Sequence, residues 1–260
     1  MSYWKDRMLQ SQHAVANKSI KQVETRLKKY YAQAARKCIS DFENVYNKIL
    51  AAVEDGRQPT PADLYKLDKY WEAQAQLRDE LQRLGDRKIK LLSQAFEANW
   101  FEVYYSTIVP NVEERTFNTI DRNVVQQIIN EIWCADGKSW SERIWADTEE
   151  LAVMLEEQLV HCVTTGKKTT ELKNLLQERF GVSYSRADAL VRTEIAHIQT
   201  QAALQRYEDY GIQEVEIWAD ADERRCDVCG QLHTKRYPAG AKVPIPAHPR
   251  CRCCVVPVVE

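Results

Sequence analysis

The chain has 260 residues, enough for one sizeable hydrophobic core or two smaller ones. Its 36 basic and 38 acidic residues leave a net charge of −2, which excludes the one-signed composition of a dedicated nucleic-acid or membrane-surface binder. No stretch approaches the ~18 uninterrupted apolar residues of a membrane span, and the N-terminal residues lack the short apolar core of a secretory leader.

Glycine and proline punctuate the chain and divide it into elements. Over about residues 3 to 54, Val23, Leu27, Tyr30, Tyr31, Ala34, Ala35 and Cys38 recur at three-and-four spacing, which predicts an amphipathic helix ending at Asp55-Gly56. After the turn Pro59-Thr60-Pro61, Thr60 is placed as N-cap and Pro61 at the first helical position of a second helix. That helix carries Leu64, Leu67, Trp71 and Ala75, then Leu77, Leu81 and Leu84, and continues past Gly85 to about Ile108. The two helices predict a long antiparallel hairpin, elongated rather than globular, with Trp100, Phe101, Tyr104 and Tyr105 at a helix–helix interface.

Beyond Pro110 the rhythm shortens. Residues 121 to 134 read as a helix ending before Asp136-Gly137, and residues 139 to 165 as another stopped at Gly166. Thr169-Thr170-Glu171 opens a third, with Leu172, Leu175, Leu176 and Phe180 on one face and Gly181 as its stop. Ser183 or Ser185 is expected to cap a fourth, running to Tyr210-Gly211. Val215, Ile217 and the segment 254 to 259 alternate or cluster as short strands. The fold class is therefore mainly α: a long N-terminal helical hairpin, a compact helical C-terminal domain and a small β tail. The expected divisions are 1–110, 111–212 and 213–260.

The tail carries the chemistry. Five of the eight cysteines fall between residues 226 and 254, whereas Cys38, Cys134 and Cys162 are isolated in helical sequence, a distribution that suits a reducing cytoplasm better than a disulfide framework. Cys226 and Cys229 form one pair, and His248 and Cys251 a second, each with two residues between its members. Each short knuckle aims two donors at one ion, and the 18-residue span between the pairs folds back to close a tetrahedral zinc site. Cys253, Cys254 and His233 remain open as substitutes for Cys251. The segment's own apolar content is thin, so the metal would supply much of its folding free energy, on the order of 10 kcal/mol in small zinc peptides. Four protein ligands leave no position for water, so the zinc is expected to be structural and the chain not an enzyme.

Residues 137 to 260 also resemble, in order, the C-terminal domain of the phage head-morphogenesis family, the Mu F-like minor head proteins. The matching elements begin with Gly137, Trp140, Arg143 and Ile144, then Gly166 and the Leu172-to-Phe180 helix. Ala187, Arg192-Thr193-Glu194 and Tyr210-Gly211 follow, and the tail adds Trp218, Asp222, Cys226, Cys229, Leu232, Pro246, His248, Cys251 and Cys253. The family commonly shows Gly-Lys after the leucine of the cysteine loop, whereas here His233-Thr234-Lys235 follows Leu232, and Cys254 is additional. The resemblance implies a non-enzymatic minor head protein of a tailed phage or prophage, assembled in the host cytoplasm and residing in the virion at the portal vertex or capsid interior. It implies the portal protein as partner, with major capsid or scaffolding protein and DNA as further candidates, a role in DNA packaging or delivery left open, and no membrane. Some relatives carry an added toxin or transferase domain; the nine residues after Cys251 predict none here.

Three other features admit a sharp and a plain reading. Arg192 and Glu194 are two apart on a helix, so they face different ways and are expected to brace the fold rather than catalyse. His197 lies three residues after Glu194, but a metal site of the helical-bundle kind needs a second such pair, and none occurs. A His-Asn-His nuclease is disfavoured because no histidine beyond His233 and His248 is expected near the knuckles. The stretch from Lys18 to Lys37, with Lys18, Lys21, Lys28 and Lys29 among its cations, reads first as a solvated helix face and alternatively as a DNA-tracking face. Under that alternative the chain is a DNA-binding zinc module, with Arg224, Arg225, Arg250 and Arg252 as a second patch.

Overall fold

The computed structural model describes residues 2–52, 59–109, 120–220, 222–223 and 225–259. The expected turn at Asp55-Gly56, Pro110 and Arg224 lie outside the described residues. Among them the chain is mainly helical: α1 (Ser2–Ala52), α2 (Pro61–Tyr65), α3 (Asp68–Ser106), α4 (Arg122–Ile129), α5 (Trp140–Thr165), α6 (Thr169–Asp209) and α7 (Asp227–Leu232). Three short strands, β1 (Glu214–Trp218), β2 (Arg236–Pro238) and β3 (Cys254–Pro257), form an antiparallel sheet in the order β2-β1-β3. A mainly helical fold with a small antiparallel sheet at its C-terminal end is as expected.

The long helices begin and end largely where the sequence places them. Thr60 accepts from the Asp63 N–H while the Asp63 carboxylate takes the Thr60 N–H at 2.9 Å, a complete capping box. The second helix then breaks at Lys66 and Leu67 instead of running on. Trp71 explains how the break is tolerated: its indole N–H donates to the Tyr65 carbonyl at 3.0 Å and its ring stacks on Tyr65, satisfying a backbone group that the helix no longer serves. The helix expected over 121 to 134 ends at Ile129. The largest difference is at Gly181, which does not stop a helix; α6 runs through it for 41 residues. A glycine inside a helix costs only about 1 kcal/mol, which the buried Leu172, Leu176, Phe180, Ala187 and Val191 outweigh. Ser183 is accordingly no cap. It is buried and donates to Asp147 at 2.6 Å.

The chain forms two compact units, and each is assembled from separated segments rather than from successive ones. The first comprises Met1–Glu24, Leu91–Trp140 and Asp188–Glu260. Here α1 and α3 run antiparallel, with Lys18 on Glu102 at 2.7 Å and Ser19 on Asn99 at 3.0 Å. Trp100 and Tyr104, one helical turn apart, stack with ring centroids 5.1 Å apart and are fully buried. Val215 and Ile217 of β1 and Val255 and Val256 of β3 are also buried, and the Tyr207 hydroxyl donates to the Val255 carbonyl at 3.2 Å. This unit holds the whole cysteine tail.

The second unit comprises Thr25–Lys90 and Ser141–Ala187. Within it α1 and α3 again run antiparallel, through Gln33 with Arg87 at 3.3 Å and Lys37 with Glu80 at 3.9 Å. Leu27, Phe42, Leu77, Leu81, Leu155 and Leu159 fill its core. Gly85 lies inside α3 because the Trp145 ring occupies the space a Cβ would need. A buried polar cluster ties the helices: Lys88 donates to Thr148 at 2.9 Å and to Tyr31 at 3.3 Å, and its ammonium lies 3.9 Å from Asp147.

Candidate metal centre

The first knuckle is local in origin. Cys226 sits in an extended conformation as N-cap of α7, and its sulfur accepts the Cys229 N–H at 3.4 Å. This turn places Cys226 and Cys229 side by side. The second knuckle is a tight turn in which the Cys251 N–H bonds the His248 carbonyl at 3.1 Å and Arg250 takes a positive φ of 61°. The span between the knuckles returns through β2, so that the His248 Nε2 lies 3.3 Å from the Cys226 sulfur and 3.1 Å from the Cys229 sulfur. Its Nδ1 faces the Pro249 carbonyl at 2.9 Å, the kind of outer contact that fixes the ring of a metal-binding histidine.

The Cys251 sulfur lies 3.8 Å from that of Cys229. The donors form two triads that share Cys229: Cys226, Cys229 and His248, and Cys229, Cys251 and Cys253. Zinc–sulfur bonds of about 2.3 Å at tetrahedral angles separate two thiolates by about 3.8 Å, and a thiolate from an imidazole nitrogen by about 3.6 Å. The donor types suit zinc, and so do the spacings within the first triad and between Cys229 and Cys251, while Cys251 stands further off from that triad as a whole.

Protonation follows local contacts. The Cys229 N–H is the main reason the Cys226 thiol is held below its ordinary value. A hydrogen bond from Cys253 brings Cys251 down to about 5 against the effect of burial, and giving that bond pushes Cys253 up. Burial pushes Cys229 up to about 12. For His248 burial works downward, but the Pro249 carbonyl and the neighbouring Cys251 and Cys226 outweigh it and hold the imidazole above its usual value.

Helices from distant parts of the sequence hold these loops. On α6, Thr193 Oγ1 accepts the Arg250 N–H at 3.0 Å, and Asp188 accepts from the Arg250 side chain at 3.1 Å and from Arg192 at 3.0 Å. Arg192 also pairs with Glu24 of α1. On the other side, the Arg252 carbonyl meets His13 Nε2 at 2.9 Å, and the Arg252 side chain pairs with Asp220 at 2.8 Å and Asp222 at 2.7 Å. Lys5 reaches the buried Glu216 of β1 at 2.8 Å, and Asp6 accepts from the Trp218 indole at 3.1 Å. The first turns of α1 thus lie against the sheet and the donor loops.

Of the expected ligands, Cys226, Cys229 and His248 come together, and Cys251 reaches them through Cys229. Cys254 turns away and packs against Leu9 and Val256. His233 is engaged elsewhere, accepting the Ala219 N–H at 3.2 Å with its ring edge-on to Trp218. Arg192 and Glu194 do face different ways, Glu194 being buried and accepting from the Trp133 indole at 3.0 Å. His197 stacks on that same indole, ring centroids 4.3 Å apart. The expectation that no further histidine lies near the knuckles is overturned by His13, which helix packing brings from the other end of the chain. Lys18, Lys21, Lys28 and Lys29 are all exposed. Tyr31 is buried beneath that stretch, and Lys18 is paired with Glu102.

The sequence offered no sign of His13, Asp188 or Asp220 beside the donors. Thr193 was visible only as part of the resemblance. Residues 154–256 match the family model described as Phage Mu protein F like protein. A search of curated proteins finds no match, and neither does a search of solved structures. The matched segment runs from within α5 through α6 to β3 and contains every donor of the cluster together with Asp188 and Thr193, and over this part the chain is similar to the Phage Mu protein F like proteins.

Proposed function

We propose that this protein is a minor head protein that acts by binding rather than by turnover, associating with the portal vertex and capsid interior during head assembly. The observation that carries the reading is the position of the donor cluster within the family segment, clamped by Asp188 and Thr193 of α6. Residues held this way make a rigid recognition surface. Cys226, Cys229 and His248, with a thiolate from the segment carrying Cys251, would hold one structural zinc. Bound there, the ion would crosslink the α7 knuckle to the second knuckle and substitute for an apolar core. No helix among the described residues is long and apolar enough to cross a membrane.

The test is co-expression with the portal protein encoded beside it, followed by size exclusion with zinc measured in the same peak. Co-elution with about one zinc per chain, the stoichiometry of one four-ligand site, is the expected result, and Cys226→Ser should abolish both. A zinc-loaded chain that ignores the portal yet retains DNA at moderate salt overturns the reading in favour of a DNA-binding module.

A further inference from the structure

Two donor triads meet at Cys229, five donors in all where a tetrahedral ion takes four. Cys226, Cys229 and His248 form one triad, and Cys229 joins Cys251 and Cys253 in the other. Residues 251 to 253 carry no helical or turn structure and lead directly into β3, and Cys251 and Cys253 both lie with Cys229. Arg252 between them turns to Asp220 and Asp222, and Cys254 turns to Leu9 and Val256. Cys253 also lines, with Cys229 and His248, a cleft of about 30 Å³ whose other walls include Arg225, Arg250 and Arg252.

We propose that Cys251 and Cys253 are interchangeable fourth ligands of one zinc ion, so that the site is built from five donors of which four bind at a time. Cys229 is the pivot, because it belongs to both triads. When one thiolate binds, the other takes up the proton, and ligand exchange proceeds without release of the ion. The proposal rests on the metal site assigned above and deepens it.

Cobalt substitution of the full-length chain separates the possibilities, since thiolate-to-cobalt charge-transfer intensity scales with the number of bound thiolates. One imidazole and three thiolates are expected in the wild type. Cys251→Ser and Cys253→Ser should each keep the full intensity and one metal per chain, whereas the double variant loses a third of the intensity or the metal itself. A one-third loss in only one single variant overturns the proposal, because that cysteine is then the dedicated ligand. Equal losses in both single variants overturn it too, because both thiolates then bind together. A wild type that takes up no cobalt or zinc removes the underlying metal site instead. Cadmium-113 to proton correlation on the unsubstituted protein gives the same answer without relying on a variant's folding. Cys226 and Cys229 should couple to the metal continuously and Cys251 and Cys253 in exchange, and coupling to only one of the latter two sinks the idea.

Discussion

Arg250 and Asp188, 62 positions apart, are joined at 3.1 Å, and Asp188 simultaneously holds Arg192 at 3.0 Å. One half-buried carboxylate thereby fixes both the residue between two expected ligands and the first residue of the Arg192-Thr193-Glu194 run. The neighbouring Thr193 takes the Arg250 N–H, so the loop's positive-φ residue is held through both its backbone and its side chain. This arrangement gives the run a physical role: it is the seat of the second knuckle.

Asp188→Asn should therefore lower stability by roughly 1–2 kcal/mol, more than an isolated surface pair is worth. It should also weaken zinc retention in a chelator competition. Unchanged retention would show that the knuckle keeps its shape without the clamp.

Two glycines in long helices should respond in opposite directions. Gly181→Ala places its Cβ in open space at an exposed helical position and should stabilise by about 0.5–1 kcal/mol. Gly85→Ala drives a Cβ into the Trp145 ring and should destabilise by roughly 1–3 kcal/mol. Urea unfolding midpoints of the two variants decide the matter.

Burial, with a smaller contribution from Lys242, pushes His197 down to about 4 from its ordinary 6.5. In that interval the unfolded chain binds a proton that the folded one refuses, so stability falls as the pH drops from 6.5 towards 4. His197→Phe retains an aromatic ring against Trp133 and should flatten this acid limb in thermal melts, while other carboxylate-driven losses persist.

Lys88 shows the complementary behaviour at alkaline pH. Burial brings its ammonium down to about 8 from 10.5, with Asp147 opposing. Between those values the unfolded chain holds the extra proton, so stability rises with pH across the window and the penalty is fully present below about 8. Burial holds Tyr31, its neighbour, above the ordinary phenol range, so the hydroxyl stays protonated there. Lys88→Met should remove the rise, as read from urea titrations at several pH values; a slope that persists would locate the linkage at another group.

Periodicity and punctuation were enough to read the long helices, because helix caps and apolar spacing are local properties. The Thr60 cap with Pro61 and the stop at Gly166 are as expected. Gly181 was misjudged because its meaning is not local. A glycine ends a helix when the chain must leave it there, and packing on both sides of Gly181 keeps the helix going. The short α7 and β2 were missed because the cysteine turn and its sheet partner override weak intrinsic preferences.

The sequence by itself determined the knuckle spacing, the choice of Cys226, Cys229 and His248 as partners, and the ordered set of residues that carries the resemblance to Mu F-like proteins. Those properties reside in a few neighbouring positions. Only the tertiary structure decided that His13 lies beside the Arg252 carbonyl, that Asp188 and Thr193 seat the second knuckle, and that Cys253 rather than Cys254 faces Cys229. Each of these depends on how α1 and α6 pack against the tail, and long-range packing is written in no single window of the chain.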